Sequence, residues 1–131
     1  MIEVEVFGAE LARDAPPLAE VRRLCALAAA SAGVRDGHVA IEFVGSERIS
    51  ELNGRHRGQA LATDVLSFPI DAAEPVAVAR ELGDVVICPE HTADLREAIV
   101  HGVLHLTGMD HETDHGEMLA LQRELLAQED G

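Results

Sequence analysis

Three histidines in the C-terminal third of the chain have types and spacing that could bind a metal ion. They are His101, His105 and His111, in the segment HGVLHLTGMDH at residues 101–111. His101 and His105 are four residues apart, so on a helix both side chains project from one face. Gly108 would end that helix and allow His111 to return toward the pair. Three imidazoles without a cysteine are the ligand set of a catalytic zinc ion.

A zinc ion held by three side chains retains a fourth position for water. Zinc lowers the pKa of bound water from about 15.7 to roughly 7, so hydrolysis at neutral pH needs no side-chain nucleophile. The alternative is that these histidines are hydrogen-bonded core residues or an adventitious metal site. The sequence predicts a hydrolase with one Zn²⁺ held by His101, His105 and His111, and it leaves the general base unidentified.

The spacing is also similar to the H-E-x-x-H-x-x-G-x-x-H motif of the metzincin peptidases. Gly102 occupies the position of the glutamate that serves those enzymes as general base. Without this carboxylate the peptidase mechanism lacks its proton shuttle, so a peptidase is the less favoured alternative. Gly102 is instead expected to allow close helix packing or to give a substrate access to the metal.

Two predicted helices flank His111. The first runs from about Thr92 to Leu106 and is apolar on nearly all sides, which indicates a buried helix. The second runs to about Ala127, with Asp114 and Glu117 as a capping box. Its predicted buried stripe consists of Met118, Leu121 and Leu125.

The remaining chain alternates predicted strands and helices. The strands are Met1–Phe7, His38–Val44, Val65–Ile70 and Asp84–Cys88. One helix is predicted from Pro16 and Pro17 to Gly33, and a short one from Ser46, as N-cap, through Leu52, with Gly54 as its stop. The expected fold is α/β (α+β): one domain over residues 1–131, with a single mixed sheet of about four strands packed with four to five helices.

The amino-acid composition limits which partners and which cellular location are expected for the protein. The formal net charge is −14, which opposes non-specific binding to nucleic acid but would suit docking to a basic protein. The chain has no Lys, Tyr or Trp, and its two cysteines, Cys25 and Cys88, lie in apolar runs that predict buried free thiols. No segment is apolar enough to span a bilayer, so the expected location is the cytoplasm.

The segment at 101–111 closely resembles the H-G-x-L-H-L-x-G-Y-D-H signature of the YbeY family of bacterial endoribonucleases. Leu52-Asn53, His56-Arg57-Gly58 and the segment TDVLSFP at 63–69 resemble the family's LN-x-x-[YH]-RG…TDVLSFP block. The segment LGDVVIC at 82–88 resembles its LGD strand. The three blocks occur in the family's order. Met109 departs from the usual Tyr, and the stretch between Cys88 and His101 is shorter than usual.

The resemblance implies a zincin-like metal helix, with His101, His105 and His111 as zinc ligands and Arg57 as a catalytic arginine. It implies metal-dependent cleavage of single-stranded RNA, in maturation of the 16S ribosomal RNA 3′ end and late ribosome quality control. The implied partners are ribosomal RNA, the ribosome or a ribosomal protein, and a ribosome-associated GTPase. Binding to DNA or to a membrane is not expected. A non-catalytic, zinc-containing ribosome-assembly factor is the main alternative.

For several residues near the predicted site, the sequence is compatible with either a functional or a purely structural role. The segment Arg55-His56-Arg57 follows the predicted helix stop, so it is either a solvated basic loop or, at Arg57, a phosphate clamp. Thr63 and Asp64 either line the same cleft or form a turn. Asp110 either orients a ligand imidazole or caps the turn, and His115 is a conceivable substitute ligand.

Overall fold

A computed structural model describes residues 2–13, 15–57, 65–69, 81–107 and 116–130, with the backbone alone at 54–57, 65–69, 81 and 130. The strands are β1 (Ile2–Phe7), β2 (Gly37–Phe43), β3 (Val65–Pro69) and β4 (Glu81–Ile87). The helices are α1 (Leu18–Ser31), α2 (Ser46–Arg57), α3 (Leu95–Leu106) and α4 (Glu117–Asp130). Short 3₁₀ turns lie at Ala9–Leu11 and Pro89–His91. The expectation of a mixed α/β fold is confirmed.

The strands form one sheet in the order β1-β2-β4-β3. β1, β2 and β4 are parallel, whereas β3 pairs antiparallel with β4 at one edge. β3 ends at Pro69, which lacks a backbone N–H and suits a strand end on an edge strand. β4 therefore lies between two strands that precede it in the chain.

Both faces of the sheet are covered. Successive side chains of a strand point to opposite faces, so one strand contributes to the core on each side. Val85 and Ile87 of β4 belong to the main core, which includes buried residues of α1, α3 and α4. Val86, between them, packs with Ile49 of α2 in a smaller cluster. β4 is consequently a central, apolar strand, and α3 packs directly against it and β3.

The predicted end of α2 and the predicted start of α3 are wrong. α2 was expected to stop at Gly54, but its backbone continues to Arg57, so Arg57 lies in the last helical turn rather than in a loop. A single glycine inside a helix costs only about 1 kcal/mol, which neighbouring packing can offset. α3 begins at Leu95 rather than Thr92, because Asp94 Oδ1 accepts hydrogen bonds from the backbone N–H groups of Arg96 and Glu97, at 3.0 and 3.2 Å.

The last helix, α4, begins at Glu117 and continues to Asp130, three residues beyond the predicted end. Asp114, the predicted capping residue, lies outside the described residues. Within the described parts of the chain, no helix is long and apolar enough to cross a membrane.

Candidate metal centre

Helix α3 places His101 and His105 side by side, as their four-residue spacing predicts. Their Nε2 atoms are 3.1 Å apart, and the ring centroids are 4.7 Å apart at an interplanar angle of 73°. Both residues are half-buried on a helix that otherwise buries apolar side chains. The two nitrogens that face each other are thus held at the border between the core and solvent.

This pair fits a zinc ion. Two nitrogens at about 2.0–2.1 Å from a tetrahedral zinc are separated by roughly 3.3 Å, close to the spacing of the two Nε2 atoms. His105 lies in the last turn of α3, where the negative end of the helix dipole favours a cation. A neutral imidazole nitrogen is also a preferred zinc ligand.

The third predicted ligand is not among the residues that the structure describes. His111 lies in the segment 108–115, together with Asp110 and His115, all outside the described residues. In the described ranges, no three His, Cys, Asp or Glu side chains cluster as metal ligands. The structure therefore brings together two of the three predicted ligands, and the role of His111 stays a prediction.

Gln122 of α4 contacts the site and was missed by the sequence analysis. Its Oε1 lies 2.9 Å from His101 Nδ1, and the residue is 4% exposed. An amide oxygen can only accept, so Nδ1–H donates and the lone pair of the neutral ring is on Nε2. The sequence did contain an indication that Gln122 is buried, because it lies between Met118 and Leu125 at helical spacing on the predicted apolar stripe.

Gly102 faces the sheet, which supports close packing over access for substrate. A Cβ at this position would lie 2.9 Å from Val85 Cγ2 and closer still to Cγ1. The missing side chain thus lets α3 approach β4 directly. Gly102 contributes to the site by setting how α3, with both histidines, sits on the sheet.

The remaining predicted site residues are only partly placed. Arg57 is the last residue of α2, and its side chain is outside the described part of the structure, as are Thr63 and Asp64. His38 is half-buried, and its Nε2 lies 3.0 Å from Glu5 Oε1. The exposed His91 has its Nε2 2.9 Å from Ser46 Oγ.

Both cysteines are free and buried, as predicted. Burial raises the pKa of Cys25 to about 12. This thiol therefore stays protonated at neutral pH, which makes it a poor metal ligand and a poor nucleophile.

Comparison with known proteins agrees with the sequence resemblance. The family model described as Endoribonuclease YbeY matches residues 17–130. An Endoribonuclease YbeY from Koribacter versatilis is 44% identical over 107 aligned positions, covering 72% of this chain and 66% of that relative. One from Pseudomonas entomophila is 39% identical over 142 aligned positions, covering 98% of this chain and 89% of the relative.

A solved structure shares the fold over nearly the whole chain. The solution structure of a Thermotoga maritima protein matches with a TM-score of 0.57 and 26% identity, covering 98% of this chain and 89% of that one. The family match includes both histidines of α3 and the buried glutamine of α4. The chain belongs to the YbeY family.

Proposed function

We propose that the protein is a zinc-dependent endoribonuclease that cleaves single-stranded RNA. The observation that carries the proposal is the pair of imidazole nitrogens 3.1 Å apart on α3, in a chain of a family whose relatives are named endoribonucleases. The proposed substrate is the 3′ end of the 16S ribosomal RNA precursor, and the proposed place of action is the cytoplasm, where ribosomes are assembled.

In this proposal His101, His105 and His111 hold the metal. When bound, the zinc supplies a Lewis acid and a nucleophilic water of lowered pKa. The buried surroundings of α3 strengthen electrostatic interactions at the site. Arg57 is proposed to bind a substrate phosphate with its planar guanidinium, which suits phosphate geometry.

The net charge of −14 favours a second candidate function, a zinc-containing assembly factor that docks a basic ribosomal protein without cutting RNA. The acidic balance offers no general attraction for a polyanion. The leading proposal therefore requires local positive charge, from the metal and from residues such as Arg57, at the place where RNA binds.

An RNA-cleavage assay separates the two candidates. Zinc-loaded protein should cleave a labelled single-stranded RNA but leave the matching duplex and single-stranded DNA intact, and a chelator should abolish cleavage until zinc is restored. His105→Ala should reduce cleavage by roughly 100-fold or more, because a metal ligand is lost. His91→Ala removes an exposed imidazole and serves as the matched control.

Two outcomes would decide against the endoribonuclease. Zinc-loaded protein that never cleaves RNA, while His105→Ala still impairs 16S maturation in cells, would favour the assembly factor. Cleavage that persists at full rate in His105→Ala would show that the activity does not come from this site. Arg57→Ala should lower cleavage at constant zinc content, and loss of zinc would mean that its proposed role is misplaced.

A further inference from the structure

We infer that Gln122 is a positioning residue for the metal centre: it fixes the tautomer of His101 and so directs the Nε2 lone pair toward the cation. The inference rests on the proposed zinc site, because it concerns the same imidazole. It goes beyond that site by assigning a function to α4, a helix that carries none of the predicted ligands.

The first support is the burial of Gln122. It is 4% exposed and, in the part of the chain that the structure describes, it is one of two buried polar residues, with Asn53 as the other. Its neighbours on the buried face of α4 are Met118 and Leu125, so a leucine here would continue the apolar stripe. Burying an amide is costly unless it is hydrogen-bonded, and the bond to His101 offsets that cost.

The second support is the direction of the hydrogen bond. Oε1 of Gln122 accepts from His101 Nδ1 at 2.9 Å, which places the ring hydrogen on Nδ1. The Nε2 atom then presents its lone pair on the side where His105 Nε2 lies, 3.1 Å away. The opposite tautomer would point a hydrogen at the place where the cation must bind. An acceptor on the second ring nitrogen also orients the ring and raises its basicity as a ligand.

The third support is the position of the bond in the fold. It joins α3 to α4, and the segment between these helices contains His111, the predicted third ligand. The hydrogen bond that orients His101 therefore also joins α3, which precedes that segment, to α4, which follows it.

The test compares Gln122→Glu, which keeps an acceptor, with Gln122→Leu, which removes it. Gln128→Leu, at an exposed position of α4, is the matched control. The first readout is the ¹H–¹⁵N correlation spectrum of the His101 ring in zinc-free protein at about pH 8, where an ordinary histidine is neutral. The second is zinc affinity, measured by competition with a chromophoric chelator.

Wild type, Gln122→Glu and Gln128→Leu should all show hydrogen on Nδ1 of His101. Gln122→Leu should lose this preference and bind zinc about 10–100-fold more weakly, whereas Gln122→Glu should bind at least as tightly as wild type, because a carboxylate is the stronger acceptor. A merely structural role for Gln122 would change the melting temperature without this dependence on acceptor chemistry.

Hydrogen on Nε2 in the wild-type ring, or wild-type zinc affinity in Gln122→Leu, would overturn the inference. The wild-type spectrum needs no substitution, so the inference is testable even if Gln122→Leu fails to fold. A wild-type protein that shows the Nδ1–H ring but binds no zinc would instead remove the proposed metal site, and the two failures are thereby distinguished.

Discussion

At the level of single residues, the proposed metal centre depends on which nitrogen of an imidazole carries hydrogen. The contact between His101 Nδ1 and Gln122 Oε1 favours hydrogen on Nδ1 for one ring. The neighbouring Nε2 of His105 is close enough to share a cation with it. These two contacts, on α3 and between α3 and α4, are the described geometry on which the proposed zinc site depends.

The Cys25 thiol should make the free energy of unfolding depend on pH, in a range where few other side chains of this protein titrate. Burial raises the pKa of its thiol from 9.0 to about 12. Between these values the unfolded chain loses the proton and the folded chain keeps it, so the free energy of unfolding falls as pH rises through this window. The expected slope is about 1.4 kcal/mol per pH unit.

Urea unfolding between about pH 9 and pH 11 measures this slope. The chain contains neither lysine nor tyrosine, whose side chains usually titrate in this range. A Cys88→Ala background leaves one thiol, and additional Cys25→Ala should remove the slope. Equal slopes with and without Cys25 would contradict the assignment.

Residue types and spacing were sufficient to predict that His101 and His105 converge, because a four-residue spacing on a helix has one geometric outcome. Gln122 was missed because a glutamine on a terminal helix is usually exposed, and only packing against α3 shows its partner. The interpretation of Arg55-His56-Arg57 as a loop failed for a local reason: glycine at position 54 is an unfavourable helix residue but not an obligatory stop.

At the scale of elements, the approach of α3 to β4 determines where the histidines lie. Gly102 and Val85 are in close contact at this interface. Gly102→Ala should therefore destabilise the protein by about 1–3 kcal/mol through overpacking, although alanine favours helix by about 1 kcal/mol.

A double-mutant cycle with Val85→Ala tests this explanation. Trimming Val85 makes room for the added methyl group, so the two substitutions together should cost less than the sum of their separate costs. Urea unfolding provides all four free energies. A Gly102→Ala protein at least as stable as wild type would show that the interface tolerates a side chain, and strictly additive costs would show that Val85 is not what opposes it.

Most elements were predictable from the apolar pattern, but their ends depended on local hydrogen bonds. The start of α3 moved from Thr92 to Leu95 because the Asp94 carboxylate accepts from two backbone N–H groups. Thr92 was an equally plausible cap by residue type, and its hydroxyl instead donates to the backbone oxygen of Cys88, at 2.7 Å.

At the scale of the whole molecule, the sheet supports the helices that carry the site. β4 lies between β2 and β3, so α3, which follows β4, packs beside the centre of the sheet. This order was not predictable from the chain, because strand partners are chosen by long-range packing rather than by local pattern. The mixed class was predictable, since strands and helices alternate with short connections.

The acidic balance of the molecule makes the metal central to the proposed activity. With a net charge of −14, the protein as a whole repels a polyanion, and the proposed zinc contributes positive charge where RNA would be cut. In the opposite case, a basic surface would capture RNA and the histidines would only stabilise the fold.

Zinc-edge X-ray absorption of the zinc-loaded protein shows which atoms hold the metal. We expect one zinc per chain with imidazole scattering and nitrogen donors at about 2.0–2.1 Å, and loss of the bound metal in His101→Ala and His105→Ala. A sulfur donor at about 2.3 Å, or a chain that takes up no stoichiometric zinc, would contradict it.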